Sequence, residues 1–249
     1  MEVHHHPDLN HKKKRIREYL LEFLMIFLAV TLGFFAESLR ENITNNEKEK
    51  AYMASFVKNL EDDTTNLNST VRENQEKMKG LQNLMSLSTK NISEPEIRHL
   101  FYKYCTGKSI GYYSIFKSND ATMLQLKNSG GLQIVRRHHV ADSIAKYDNE
   151  VKYIYAAETL YWNASDAANL AAQDLLDYSI FYDSTYFKDG QFKGKFIPLK
   201  SNDPEKVKAL FNKVYYEIGA TQNYINNITR RLPYAVELIK FLKNEYGSE

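Results

Sequence analysis

The stretch from Tyr19 to Ala36, YLLEFLMIFLAVTLGFFA, constrains this chain more than any other, because it is the one segment apolar enough to live in a lipid bilayer. About 18 residues at a rise of ~1.5 Å give about 27 Å of helix, close to the thickness of a hydrocarbon core, so a single pass suffices. From Phe23 to Phe35 the run is broken only by Thr31 and is apolar all round, whereas a core helix in so polar a chain would carry a polar stripe. The expectation is a retained anchor, with a buried core helix as the alternative. Lys12, Lys13, Lys14, Arg15 and Arg17 crowd before the span, while Glu37, Arg40 and Glu41 after it are mixed, which predicts a cytoplasmic N-terminus. A cleaved signal peptide would want small residues in an A-x-A-like arrangement, and Phe34, Phe35 and Ala36 do not supply it. The expected division is a cytoplasmic tail over 1–18, a transmembrane helix over 19–36 and an extracytoplasmic helical domain over 37–249.

Glu22 is the ionisable residue inside the apolar span, where burying a charge costs ~2.5 kcal/mol or more at the bilayer centre. It lies only about one turn past Glu18, so a headgroup-level position costs much less. Three readings stand: interfacial placement, contact with a partner helix in the membrane, or proton and ion handling. Glu22 is the candidate intramembrane partner contact.

Composition fits this layout. With 43% hydrophobic and 26% charged residues, 249 residues can bury one real core. Residues 1–18 set five Lys and Arg against Glu2, Asp8 and Glu18, which accounts for the whole net charge of +2. The basic character is therefore a topology signal, and no nucleic-acid partner is expected. Cys105 is the single cysteine, which excludes an internal disulfide and a multi-cysteine metal site. The leading MEVHHHPDLNH has no apolar period and reads as a disordered tail, with His4, His5 and His6 a loose metal site at most.

Beyond the anchor no proline occurs before Pro95, and a heptad seam is legible through Leu39, Ile43, Asn46, Lys50, Met53, Val57, Leu60, Thr64, Leu67, Val71, Asn74, Met78, Leu81 and Met85. One helix continuing to about Ser86 is predicted. Ser93 is the expected N-cap of a short helix ending near Tyr104, Ser118-Asn119-Asp120 opens another, and Gly130-Gly131 should close it. A long helix from about Arg136 to Ser179 follows, then an aromatic-rich hairpin turning at Asp189-Gly190, then a helix capped by Asp203 with Pro204 at its first position and Pro233 as a kink. The fold class is all-α: a transmembrane helix continuing into an elongated bundle of coiled-coil-like helices, with one small β-hairpin.

The segments LLEFLMIFLAVTLGFFAES, YMASFVKNLEDDT and ATMLQLKNSGGLQIVRRHHVADSIAKYD resemble a group of single-pass inner-membrane proteins typical of Bacteroidota, to which no activity is assigned. The likeness rests on Glu22 early in the anchor, on the segment Val57 to Asp62, and on Thr122, Leu126, Ser129 and Gly130. The anchor ends in Phe-Ala-Glu-Ser where many of that group have an Asn-Asn-Trp-like stretch, which points to a separate subgroup. The resemblance implies a signal-anchor in the inner (cytoplasmic) membrane with the helical domain in the periplasm. In such bacteria Asp142-Ser143-Ile144 also fits an O-glycosylation acceptor, here inside a predicted helix.

Catalysis finds little support: there is no Gly-rich phosphate loop, Gly-x-Ser-x-Gly elbow or His-Glu-x-x-His helix. His138 and His139 are adjacent and point to different helix faces. Glu61, Asp62 and Asp63 read as solvated or capping charges. No catalytic, cofactor or metal residues are assigned, and a non-enzymatic role is expected. The first reading is a scaffold or accessory subunit of an envelope complex, holding a protein partner or a second copy by its heptad faces. The alternative is a ligand-sensing bundle whose tyrosines from Tyr147 to Tyr161 line a pocket and which signals through a separate membrane partner.

Overall fold

The computed structural model describes residues 15–128, 134–193 and 196–247. In chain order it contains α1 (Ile16–Met85), α2 (Pro95–Thr106), α3 (Ala121–Asn128), α4 (His138–Gln173), a 3₁₀ turn (Tyr178–Tyr182), the two-residue strands β1 (Phe187–Lys188) and β2 (Gln191–Phe192), and α5 (Pro204–Tyr246). The fold is all-α, as the periodicity predicts. Packing divides the chain into two units, Met1–Ala51 and Tyr52–Glu249.

In the first unit α1 has no covering neighbour along its apolar run. Its most apolar 18-residue stretch has a mean hydropathy of 2.1, none of it is buried, and it is long enough to cross a membrane. Phe23, Phe27, Leu32, Phe34 and Phe35 are all more than half exposed, so this stretch is not a core helix of the chain.

The second unit is a bundle of the remainder of α1 with α4 and α5. The last two run antiparallel, since Arg137 near the start of α4 meets Glu245 near the end of α5 while Ser165 late in α4 meets Glu217 early in α5. Two apolar clusters form the core. One gathers Met53, Phe56, Leu60 and Leu67 with Ile144, Ile154, Ile228 and Leu242. The other gathers Leu81 and Leu84 with Phe101, Ala168, Leu175, Leu210 and Val214.

Within α1 the buried seam departs from the predicted one by a single residue in every second step. Met53, Leu60, Leu67, Asn74 and Leu81 are buried as expected, but their companions are Phe56, Asp63, Thr70, Lys77 and Leu84. Of the companions expected instead, Val57, Thr64, Val71 and Met85 are half-buried and only Met78 is buried. Three of the true companions are polar, so apolar periodicity favoured the line beside them.

Other boundaries shift for local reasons. Glu94, not Ser93, is the N-cap of α2, with Pro95 following it, and no side chain caps that end. The helix α4 stops at Gln173, short of Ser179, because Leu175 and Leu176 turn to meet the segment before α5: Leu176 bridges Leu199, and Lys200 N donates to Leu175 O. The hairpin is as predicted, with Phe187 paired to Phe192 and with Asp189 (φ 56°) and Gly190 (φ 76°) both left-handed, the geometry of a tight two-residue turn. Asp203 caps α5 by accepting from Glu205 N, and Pro233 lies inside that helix. The expected Gly130-Gly131 cap and the histidines of the leading tail lie outside the described residues.

Candidate functional site

Between the two apolar clusters the bundle carries a layer of buried charge. Lys77 of α1 and Glu217 of α5 approach to 2.9 Å with both side chains fully buried. Lys77 Nζ also donates to Ser165 Oγ at 2.6 Å and to Tyr161 Oη at 3.3 Å, and lies 4.3 Å from the centre of the Tyr161 ring. Ser165 in turn donates to Glu217 Oε1 at 2.8 Å. Burial pulls the Lys77 ammonium below its ordinary pKa, against the pull of Glu217, and pushes the Glu217 carboxyl above its own, against the pull of Lys77. Among the described residues, Glu217 Oε2 and the Thr221 hydroxyl one turn later have no hydrogen-bond partner. A serine beside a lysine amine has the composition of a nucleophile and base, but Lys77 and Ser165 have no exposed surface at which a substrate could meet them. The layer therefore ties three helices together.

A second polar assembly holds an irregular segment. From Tyr112 to Asp120 the chain is neither helix nor strand, yet Ser114 and Phe116 are buried, so its backbone groups need partners. Side chains supply them at every second residue. The amides of Ser114, Phe116 and Ser118 donate to the phenolic oxygens of Tyr161, Tyr224 and Tyr155 at 3.3, 2.9 and 3.3 Å. Asn74 Nδ2 donates to Ser114 O at 2.8 Å. The far end is fastened to Asp63, whose Oδ1 accepts from Asn119 N at 2.6 Å and whose Oδ2 accepts from Ser118 Oγ and Tyr147 Oη, each at 2.7 Å. Burial, followed by the adjacent Asp63 charge, pushes the Tyr147 phenol up, so it stays a donor at any physiological pH.

Beside this anchor point lies a cleft of about 150 Å³ between α1, the start of α3 and α4. The buried Asp63, Phe56 and Val151 line it together with the exposed Asp120, Tyr155 and Lys152. This is the candidate functional site: a small cleft with an apolar part, phenols, and carboxylates of differing burial.

Sequence-predicted residues fall into place unevenly. Glu22 is exposed on α1 within the apolar run. Of the tyrosines from Tyr147 to Tyr161, Tyr147 and Tyr155 line the cleft, Tyr161 lies in the charged layer, and Tyr153 stacks its ring 4.9 Å from the Arg231 guanidinium. Glu61 and Asp62 are exposed as expected, but Asp63 is only 2% exposed and is a structural anchor in addition to capping a backbone amide. Asp63 and Lys77 are the residues that sequence reasoning passed over, and their heptad spacing from Phe56 and Leu84 was the available signal. His138 and His139 are exposed, and His139 Nε2 lies 3.4 Å from Glu245. Among the described residues no group of three His, Cys, Asp or Glu side chains is placed to hold a metal ion. Cys105 is buried, which pushes its thiol pKa up and keeps it unreactive. Ile144 of the Asp142-Ser143-Ile144 triplet is fully buried, and Ser143 bonds back to His139 O. Comparison of the chain with protein-family profiles, curated proteins and solved structures finds no match.

Proposed function

We propose that the chain is a membrane-anchored, non-enzymatic helical scaffold or accessory subunit of an envelope complex, with its N-terminus in the cytoplasm and residues 37–249 in the periplasm. The observation that carries this reading is α1 itself, which is bare and apolar over its first turns and later supplies Met53, Leu60 and Leu81 to a packed bundle. One continuous helix then carries both the apolar run and residues of the bundle core. The likeness to inner-membrane proteins typical of Bacteroidota supports the same topology. A reporter fused after Glu249 should be active only outside the cytoplasm, and replacing Lys12, Lys13, Lys14, Arg15 and Arg17 by neutral residues should scramble orientation. Cytoplasmic reporter activity in the unaltered chain would overturn the arrangement.

Partner capture should depend on Glu22. If it pairs with a polar group of another membrane helix, Glu22→Gln removes a charge where the partner group is poorly solvated, at a cost of several kcal/mol. The expected result on blue-native electrophoresis is loss of the larger assembly in Glu22→Gln but not in Thr31→Val, with the periplasmic domain still folded. Identical migration of wild type and both variants would remove Glu22 from the contact.

A second reading, a ligand-sensing bundle acting through a separate membrane partner, is favoured by the cleft that Tyr147 and Tyr155 line.

A further inference from the structure

Among the described residues of the second unit two carboxylates are buried, and their situations differ. Glu217 has Lys77 at 2.9 Å. Asp63 is as deeply buried, yet each hydrogen bond that it accepts comes from a neutral group: a phenol, a hydroxyl and a backbone amide. Those bonds occupy three of about four acceptor sites of a carboxylate without cancelling its charge, and a buried charge without a counter-charge is costly. Asp63 also lines the cleft.

The other charges of the cleft leave that balance negative. Asp120, exposed at the start of α3, adds a second carboxylate. Lys152, also in the lining, is held by Asp148 at 2.9 Å, and Lys127 reaches the same carboxylate at 2.6 Å, so both cations are engaged by Asp148. The Tyr155 phenol, which also lines the cleft, is pushed up by burial, against the hydrogen bond from Ser118 N, and then by the carboxylates of Asp63, Asp120 and Glu158. Phe56, Leu60, Met123 and Val151 give the lining an apolar part beside the neutral polar Asn59, Ser118 and Asn119. At about 150 Å³ the space takes several water molecules' worth of ligand, more than a bare inorganic ion needs.

We propose that the cleft between α1, α3 and α4 binds a small organic cation, a primary ammonium on a short apolar body, with the ammonium between Asp63 and Asp120 and the body against Phe56, Met123 and Val151. Tyr147 and Tyr155 present ring surface to the cation. The assignment deepens the ligand-sensing reading by naming its ligand class, and it stands apart from the scaffold reading, since occupancy of this cleft does not depend on any partner of the anchor.

The test uses the full-length protein in detergent micelles, labelled at the methionine methyl groups, with the Met123 signal identified by its loss in Met123→Leu. Titration with n-butylammonium chloride should shift the Met123 methyl saturably while Met78 and Met85 stay still, and sodium butyrate and sodium chloride should leave it unmoved. Asp120→Asn keeps a residue that also caps helices, so α3 persists. It should weaken butylammonium binding about tenfold, as expected for losing one charge-assisted contact. A Met123 signal that does not respond to butylammonium overturns the proposal. So does an equal response to butyrate, saturation by sodium chloride alone, or undiminished affinity in a folded Asp120→Asn. Because the readout is binding at Met123, loss of reporter topology or of the Glu22-dependent assembly would strike the scaffold reading alone.

Discussion

Lys77→Met should destabilise the bundle by about 3–5 kcal/mol, because it strands the Glu217 carboxylate in a place with no exposed surface and only Ser165 to donate to it. Methionine fills much the same volume, so the loss reports charge and not a cavity. The double variant Lys77→Met with Glu217→Leu should recover most of the loss, since a buried ion pair replaced by packed apolar groups is often neutral in stability. The single variant should also acquire a pH dependence. Burial already raises the Glu217 pKa above its ordinary 4.5, and removing Lys77 raises it further. A carboxyl whose folded pKa exceeds its unfolded one contributes stability below the unfolded value and loses it as pH rises through the folded value. Thermal unfolding of Lys77→Met, followed by circular dichroism of the full chain in micelles, should therefore approach wild type in acid and fall behind it from about pH 4.5 upward. A variant as stable as wild type at neutral pH would show that the pair contributes nothing.

Asp63→Ala should cost about 3–4 kcal/mol, and the loss should be local before it is global. The substitution removes the acceptor of three hydrogen bonds, from Tyr147 Oη, Ser118 Oγ and Asn119 N. Tyr147 is 5% exposed, so its hydroxyl regains a partner only from water in the cleft, whereas Ser118 and Asn119 are half-buried and recover part of their loss from solvent. Tyr147→Phe removes one donor and leaves the other two, and should cost about 1 kcal/mol. Hydrogen exchange separates these effects: in Asp63→Ala the Asn119 amide should lose its protection, while the amides of α5 around Ile225 keep theirs until global unfolding. Unchanged protection at Asn119 would mean that the segment from Tyr112 to Asp120 is held without Asp63.

Helix content, the order of the elements, the Asp189-Gly190 turn and the Asp203 cap of α5 were legible because each is a local property: propensity, a proline, a positive φ, or a carboxylate two residues from an amide. The length and apolarity of the stretch from Tyr19 to Ala36 were legible for the same reason. The buried polar line of α1 was not. Val57, Thr64, Val71 and Met78 form a more apolar stripe than Phe56, Asp63, Thr70 and Lys77, so hydropathy alone selects the wrong neighbour of a correctly placed seam.

What the chain by itself determined is therefore everything that depends on neighbours within one or two turns: an all-α chain with a membrane-length apolar helix near its beginning. Tertiary structure alone decided that Lys77 meets a glutamate 140 positions away in sequence, that Asp63 and three tyrosines hold an extended segment, and that a cleft opens beside Asp63, whose hydrogen-bond donors are neutral. The physical reason is that a charge enters a core only when groups from distant elements meet it there. The heptad spacing of Asp63 and Lys77 marks the face they share with Phe56 and Leu84, but not the groups that meet them there.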